Sequence, residues 1–92
     1  MLFLVISDPR PERPSEKAAD RRRYWQWAEP LVDAKTIRSL YARPGRGAVA
    51  IFDVESLEAL HGYLTEWAEI VPAHFDLYPL LDPASAKQFL QR

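Results

Sequence analysis

The chain has 92 residues, of which 48% are hydrophobic and 27% charged, so it is expected to form one small folded domain and not a disordered segment. Its formal net charge of −1 gives no field strong enough to attract nucleic acid or an anionic membrane, and neither is expected as a partner. It contains no cysteine, which excludes disulfides, a thiol nucleophile and thiolate metal ligands, and fits a cytoplasmic location.

The chain begins with an apolar segment that predicts a strand over residues 2–6. A proline-rich segment at 8–14 ends this strand. The segment that follows predicts a helix over about 16–28, in which Ser15 offers a side-chain oxygen as the N-cap. Pro30 lacks a backbone N–H, so it is expected to kink this helix or to begin a short second one.

The middle of the chain predicts a pair of strands joined by a tight turn. Residues 35–41 alternate imperfectly and are interpreted as the second strand, and the wholly apolar segment 48–52 as the third. Between them lies Arg43-Pro44-Gly45-Arg46-Gly47, a sequence typical of a turn because its two glycines tolerate positive φ. This turn opens no helix, so it is not a phosphate-binding loop.

The last part of the chain predicts a helix, a strand and a short helix. The first of these helices, which Pro72 ends, places apolar residues on one stripe: Leu57, Leu60, Leu64, Trp67, Ala68 and Val71. Residues 74–78 alternate cleanly as a fourth strand. A short C-terminal helix is expected to begin at Pro83 and to contain Phe89 and Leu90.

The element order is therefore β-α-β-β-α-β plus a C-terminal helix, which is the ferredoxin-like α+β arrangement. In that topology the first and third strands are central, which agrees with their continuous apolar sequences. Two helices cover only one face of the four-stranded antiparallel sheet, and the other apolar face also needs cover. We therefore expect a homodimer, or a higher multiple of dimers, in which two sheets pack as a dimeric α+β barrel.

Three segments of the chain resemble a known family: Met1-Leu2-Phe3 with Val5, the strand-to-helix junction Phe52-Asp53-Val54 with Ser56 and Glu58-Ala59-Leu60-His61, and Pro79-Leu80 with Pro83. They are similar to muconolactone isomerases. The resemblance implies a ferredoxin-like fold, oligomers built from dimers, and proton movement within a small unsaturated lactone without any cofactor. The resemblance covers most of the chain. Its most specific motif is the strand-to-helix junction, which indicates the fold more strongly than the activity.

The chain departs from this family at the positions where the family's catalytic groups are expected. The family's helical glutamate falls near Arg22 or Arg23, its tyrosine at Arg46 and its asparagine at Ala48. An arginine stays protonated and cannot act as a base, and an alanine has no polar side-chain atom. The isomerase chemistry therefore does not carry over residue by residue.

Two histidines are candidates for proton transfer because histidine titrates near neutrality. His61 lies on the flank of the predicted apolar stripe, and a packing role at the edge of the helix is the alternative. His74 opens the fourth strand on the same side as Asp76 and Tyr78, where an ordinary strand surface or a subunit contact is the alternative. With no third ligand at suitable spacing, these histidines predict no metal site.

The first helix is the candidate for binding a ligand. Its inward stripe is expected to hold Arg21 or Arg22 and Trp25, beside Tyr24. A guanidinium close to aromatic rings suits a small organic anion, since it pairs with a carboxylate through two hydrogen bonds. We therefore predict a ligand-binding set of Arg22, Tyr24, Trp25 and Arg46. The alternative is that the arginines extend to solvent while Trp25 is a core residue.

Three functions follow from these observations. The first is a cofactor-independent isomerase or proton-transfer enzyme that acts on a small lactone or an aromatic-derived carboxylic acid. The second is a non-catalytic small-ligand-binding or oligomeric assembly module of the same fold. The third is a cofactor-free monooxygenase, which a closed cavity lined by Trp and His would favour. None of the three needs a cofactor.

Overall fold

The computed structural model describes residues 1–11, 13 and 18–90. Within them, a four-stranded antiparallel sheet has the spatial order β2-β3-β1-β4 and three helices connect or follow its strands. The bounds are β1 (Leu2–Pro9), α1 (Ala18–Asp33), β2 (Ile37–Ala42), β3 (Ala48–Asp53), α2 (Leu57–Ile70), β4 (Ala73–Leu80) and α3 (Pro83–Leu90). The predicted ferredoxin-like order, with β1 and β3 central, is confirmed. The expected cap at Ser15 lies outside the described residues.

The strands β1 and β4 are longer than the sequence predicted. They pair along their whole length, from Leu2 opposite Leu80 to Pro9 opposite Ala73. Proline is tolerated here because Pro9 ends its strand and Pro79 lies in β4, an edge strand whose outer side needs no ladder hydrogen bond. The prolines were therefore poor markers of the strand ends.

The structure has one helix α1 from Ala18 to Asp33, so the predicted end at about residue 28 and the alternative of a separate short helix beginning at Pro30 were wrong. Proline removes one hydrogen bond from a helix, but the Pro30 carbonyl still accepts from the Ala34 N–H at 3.0 Å. The next turn also packs against the core through Leu31 and Val32. The helix instead ends just before Lys35, whose φ of 67° is left-handed.

The face of α1 that meets the core differs from the predicted stripe. Tyr24 and Ala28 are buried, whereas Trp25 is 42% exposed. The Tyr24 ring lies 5.0 Å from the Trp67 ring of α2, measured between centroids, and this contact between helices sets the rotation of α1.

The helix α2 follows the sequence prediction closely. Ser56 caps it, since its Oγ accepts a hydrogen bond from the Ala59 N–H at 3.1 Å. Leu60, Leu64 and Trp67 are buried against the sheet as expected. Leu57, the first residue of α2, was also predicted on this stripe but is 54% exposed.

The sheet has one covered face and one open face. Phe3 and Val5 of β1 and Phe52 of β3 point toward the helices and are buried. The alternating residues form the open face, which is apolar across its centre: Leu2, Leu4, Ile6, Tyr41, Val49, Ile51, Tyr78 and Leu80. The uncovered apolar face expected from the sequence is therefore present in the single chain.

At one end of the open face, Arg38 of β2 bonds to Asp53 of β3 through both Nε and Nη2. This guanidinium holds the pKa of the Asp53 carboxyl below its usual value. A carboxyl whose pKa is lowered by folding stabilises the fold above its unfolded pKa of about 3.9, and this stabilisation is lost as the pH falls through the lower folded value. We expect Asp53→Asn to flatten the fall of melting temperature between about pH 5 and pH 2, measured by circular dichroism. An unchanged pH profile in Asp53→Asn would contradict this expectation.

Candidate ligand-binding site

A cavity of about 230 Å³ lies between α1, the end of β1 and the turn that joins β2 to β3. Aromatic rings from α1 and α2 form part of its wall, and arginines from α1 and the turn form another part. The full lining is Ser7, Pro9, Arg21, Tyr24, Trp25, Ala42, Arg43, Gly45, Arg46, Gly47, Ala48, Trp67 and Val71. This volume restricts the ligand to a small molecule, since sites for drug-sized ligands span roughly 300–1,000 Å³.

Both arginines of the β2–β3 turn bond to the first part of the chain, one at the end of β1 and the other just after it. The Arg43 backbone N–H donates to the Gly47 carbonyl at 2.9 Å and closes the turn. The Arg43 side chain donates from Nη1 to the Ser7 carbonyl at 2.8 Å. Arg46 donates from Nη1 to the Arg10 carbonyl at 2.6 Å. These bonds hold two guanidinium groups beside the cavity.

Gly47 lets the turn approach β1 closely. Its φ is +103°, and a Cβ there would lie 2.5 Å from the Ser7 carbonyl oxygen. Gly45 has a φ of +88° but open space where its Cβ would be, so it provides a matched control. We expect Gly47→Ala to destabilise the fold by about 2–3 kcal/mol and Gly45→Ala by about 1 kcal/mol, measured by urea unfolding. Equal costs for the two variants would contradict the close approach.

The floor of the cavity is set by Ser7 and Ala48. The buried Ser7 hydroxyl oxygen accepts a hydrogen bond from the Ala48 N–H at 2.8 Å. The same serine's carbonyl is the acceptor for Arg43, so one residue links the first strand to both ends of the turn.

The aromatic wall centres on Tyr24. Its ring contacts Trp25 edge-on at 5.4 Å and Trp67 at 5.0 Å, both between centroids. Its hydroxyl is buried and, among the described residues, has no hydrogen-bond partner. Burial raises the pKa of the Tyr24 phenol, which therefore stays neutral and is a hydrogen-bond donor. A buried donor without a partner costs free energy, and this oxygen has almost no accessible surface, so the Tyr24 ring and not its hydroxyl faces the cavity.

Among the residues that the structure describes, the cavity is lined only by positive charge. Arg21, Arg43 and Arg46 line it, and the described lining includes no aspartate, glutamate or histidine. Since each guanidinium carries five N–H donors, an arginine that bonds to a backbone carbonyl can also bind an anion. The site therefore suits a small anion with an apolar, planar body, and its described lining offers no side chain that would act as a base near neutral pH.

The structure distributes the predicted site residues over four places. Tyr24, Trp25 and Arg46 line the cavity, whereas Arg22 is exposed on α1 outside the lining. His61 lines an apolar groove between α2 and β4. His74 is exposed on β4, with its Nε2 at 3.3 Å from Asp76 Oδ1. The cavity thus brings three of the six predicted residues together, and Arg21 takes the place on α1.

Sequence reasoning missed several residues of the cavity. Arg43 and Ser7 were not singled out, although the turn that contains Arg43 was recognised. Trp67 was predicted only as a core residue, but it also reaches the cavity wall. The available signal was a turn that contains both two arginines and two glycines.

Neither a metal centre nor a membrane span is found in the part of the chain that the structure describes. No group of three or more His, Cys, Asp or Glu side chains there could hold a metal ion. No helix among the same residues has the length and apolar character needed to cross a membrane.

Comparisons with known proteins agree on the fold. A family model described as "Domain of unknown function (DUF3303)" matches residues 1–92, and no curated protein matches the chain. The crystal structure of a muconolactone isomerase is similar at a TM-score of 0.72 and 26% identity, covering 91% of this chain and 93% of that one.

A second solved structure is 5-chloro-2-hydroxyhydroquinone dehydrochlorinase (TftG) from Burkholderia phenoliruptrix AC1100 in complex with 2,5-dihydroxybenzoquinone. It has a TM-score of 0.65 and 23% identity, and the match covers 92% of this chain and 98% of that one. The predicted similarity to the muconolactone isomerase fold is therefore confirmed. Both similar structures are small-molecule enzymes by name, so this is a fold that supports small-molecule chemistry.

Proposed function

The chain belongs to the DUF3303 family, and from its cavity we propose that it binds a small planar organic acid or acidic lactone between α1 and the β2–β3 turn. The observation that carries this proposal is the convergence of three arginines and three aromatic rings on one cavity whose described lining contains no acidic side chain. The ligand's carboxylate pairs with the arginines, and its ring packs among Tyr24, Trp25 and Trp67.

Size and polarity narrow the ligand class. A cavity of about 230 Å³ accepts one small ring but not a nucleotide or an acyl chain. The arginines of the lining favour a carboxylate, and its aromatic rings favour a flat unsaturated body beside that carboxylate. Aromatic-derived acids and unsaturated lactones have this combination.

A thermal-shift screen against muconolactone, related lactones, and small aromatic and dicarboxylic acids tests the proposal. A ligand at about one hundred times its dissociation constant stabilises the fold by roughly 2.7 kcal/mol, which raises the melting temperature of so small a domain by ten degrees or more. We expect a reproducible shift with at least one carboxylate-bearing ring and none with its uncharged amide. A flat screen across all these compounds would contradict the proposal.

A second candidate function is cofactor-independent proton transfer on the same ligand. One observation favours it, the structural similarity to a muconolactone isomerase at 26% identity. The proton acceptor is proposed to be His61 or His74, both of which lie outside the cavity in the single chain. The cofactor-free monooxygenase remains a weaker hypothesis, since the described lining has tryptophan but no histidine.

Substituting the histidines tests this second candidate. If His61 or His74 is the base, replacing that histidine by alanine lowers the isomerisation rate by roughly a hundredfold or more, while ligand affinity stays the same. If both variants isomerise at the wild-type rate, neither histidine is the base. If the wild-type protein binds an acid and isomerises none of the lactones, it acts as a binding module.

We further propose that the protein forms a homodimer through the open face of the sheet. Eight apolar residues on this face, including the 51% exposed Tyr78, support the proposal because so large an apolar surface on a small domain is rarely left in water. Light scattering is expected to give twice the chain mass, and Tyr78→Asp to give a folded monomer. Thr65→Asp, on the exposed side of α2, should remain a dimer. A monomeric wild-type protein would contradict the proposal.

A further inference from the structure

The C-terminal helix α3 is built to pack against something other than its own domain. It begins two residues after β4, and Asp82 caps it by accepting a hydrogen bond from the Ser85 N–H at 2.7 Å. Every side chain of α3 that the structure describes is exposed, including Leu90 at 83%, and Leu81 before it is 76% exposed. Isolated helices of eight residues are marginal in water and depend on a packing surface.

The dimensions of the chain agree with a helix that does not fold back. The radius of gyration is 14.8 Å, whereas a compact chain of this length has one of about 12 Å. The longest axis measures 55 Å against 23 and 20 Å for the other two. Part of the chain therefore extends away from the sheet and its two covering helices.

An apolar groove between α2 and β4 offers a surface of matching size. It is lined by Leu57, Leu60, Leu64 and Leu77, with Glu58 and His61 at its edge. Leu57 and Leu77 are 54% and 41% exposed, so the groove is only partly filled by its own chain. From Leu57 to Leu64 it follows α2 for about 10 Å, and the eight residues of α3 span about 12 Å.

Opposite charges on α3 and on the groove indicate where α3 lies along the groove. Lys87 flanks the side of α3 that carries Ala86 and Leu90, because residues three and four apart share a helix face. Glu58 lies beside Leu57 at one end of the groove. Pairing the ammonium with this carboxylate brings Lys87 to the Leu57 end of the groove, and Leu90 lies within about 5 Å of Lys87 along the helix axis.

We propose that α3 of one copy docks in the α2–β4 groove of a second copy, and that the two copies exchange these helices reciprocally. The proposal rests on the self-association proposed above and does not depend on the ligand. The apolar side of α3 then covers the exposed parts of Leu57 and Leu77. The helix thereby packs against a surface, which it does not do within its own chain. β4 borders the open face, so α3 leaves the domain beside the partner.

Engineered cysteines test this exchange cleanly, because the chain has none of its own. Leu57→Cys and Leu90→Cys chains are mixed, allowed to re-equilibrate and treated with a short bis-maleimide linker. The control pairs Leu57→Cys with Gln88→Cys, which lies on the opposite side of α3. A third sample carries Leu57→Cys and Leu90→Cys in the same chain. Circular dichroism and light scattering confirm that each variant is folded and report its mass.

Exchange predicts a cross-linked dimer containing one chain of each kind in the first mixture, at least fivefold more abundant than in the Gln88→Cys control. A dimer by light scattering with no such excess overturns the exchange but leaves self-association intact. Cross-linking within a single monomeric chain in the third sample also overturns it, because α3 would then occupy its own groove. A monomeric wild-type protein overturns both proposals together.

Discussion

Replacing Arg21 and Arg46 together by alanine is expected to weaken binding of the carboxylate ligand about a hundredfold, with each single change contributing about tenfold. The two arginines line the cavity from opposite sides, one on α1 and one in the β2–β3 turn. Each substitution removes a charge-assisted hydrogen bond to the carboxylate. Because the arginines are partly exposed, the loss of binding free energy is expected at the lower end of the usual range. Isothermal titration calorimetry with the best compound from the screen measures the change.

Arg22→Ala is the matched control for this loss. It removes the same charge from the neighbouring position of α1, outside the cavity lining. We expect its affinity to stay within twofold of the wild-type value. If Arg22→Ala weakened binding as much as Arg21→Ala, the carboxylate would be held by the general positive charge of α1, and the assignment to the cavity would be contradicted.

Trp67→Ala is expected to lower the free energy of unfolding by about 3–5 kcal/mol, which is most of the stability of a domain this small. Trp67 is buried and lies at the centre of the aromatic core. Its ring is 5.0 Å from Tyr24, 5.1 Å from Phe75 and 5.9 Å from Trp27, measured between centroids. Removing it opens a cavity shared by α1, α2 and the sheet. Urea unfolding followed by far-ultraviolet circular dichroism measures the loss.

Trp25→Ala provides the comparison with the same residue type. Trp25 also lines the ligand cavity, but it is partly exposed and lies outside the buried core. We expect it to lower stability by less than about 1.5 kcal/mol and to weaken ligand binding. Similar losses of stability in the two variants would show that the aromatic cluster, and not Trp67, is the centre of the core.

The fold could be predicted from the sequence because its strongest signals are local. The continuous apolar segment of β3, followed directly by the Ser56 cap and the stripe of α2, fixes a strand, a turn and a helix without knowledge of any distant contact. The order of elements then restricts the topology to very few arrangements.

The rotation of α1 could not be predicted in the same way. Tyr24, Trp25 and Trp27 spread aromatic residues over an arc of roughly 160° around the helix, so apolar spacing alone gives no single inward face. The contact of Tyr24 with Trp67, a residue 43 positions later in the chain, decides which ring is buried. For the same reason the sequence left Arg21 and Arg22 as alternatives.

The cavity was only partly predictable because its arginines are positioned by tertiary hydrogen bonds. Arg43 bonds to the Ser7 carbonyl and Arg46 to the Arg10 carbonyl, each across 36 positions in the chain. No spacing rule relates residues so far apart. The histidines, in contrast, were candidates mainly because of their residue type, and the fold places them outside the cavity, in the α2–β4 groove and on β4.

A nuclear magnetic resonance titration of the three tryptophan indole N–H signals would test binding in the cavity most directly. Trp25 and Trp67 line the cavity, whereas Trp27 is outside it and donates its indole N–H to Glu66 Oε2 at 3.2 Å. Binding in the cavity predicts saturable shifts of the Trp25 and Trp67 signals with one dissociation constant, and a Trp27 signal that hardly moves. Unmoved Trp25 and Trp67 signals at saturating ligand would contradict the proposed site.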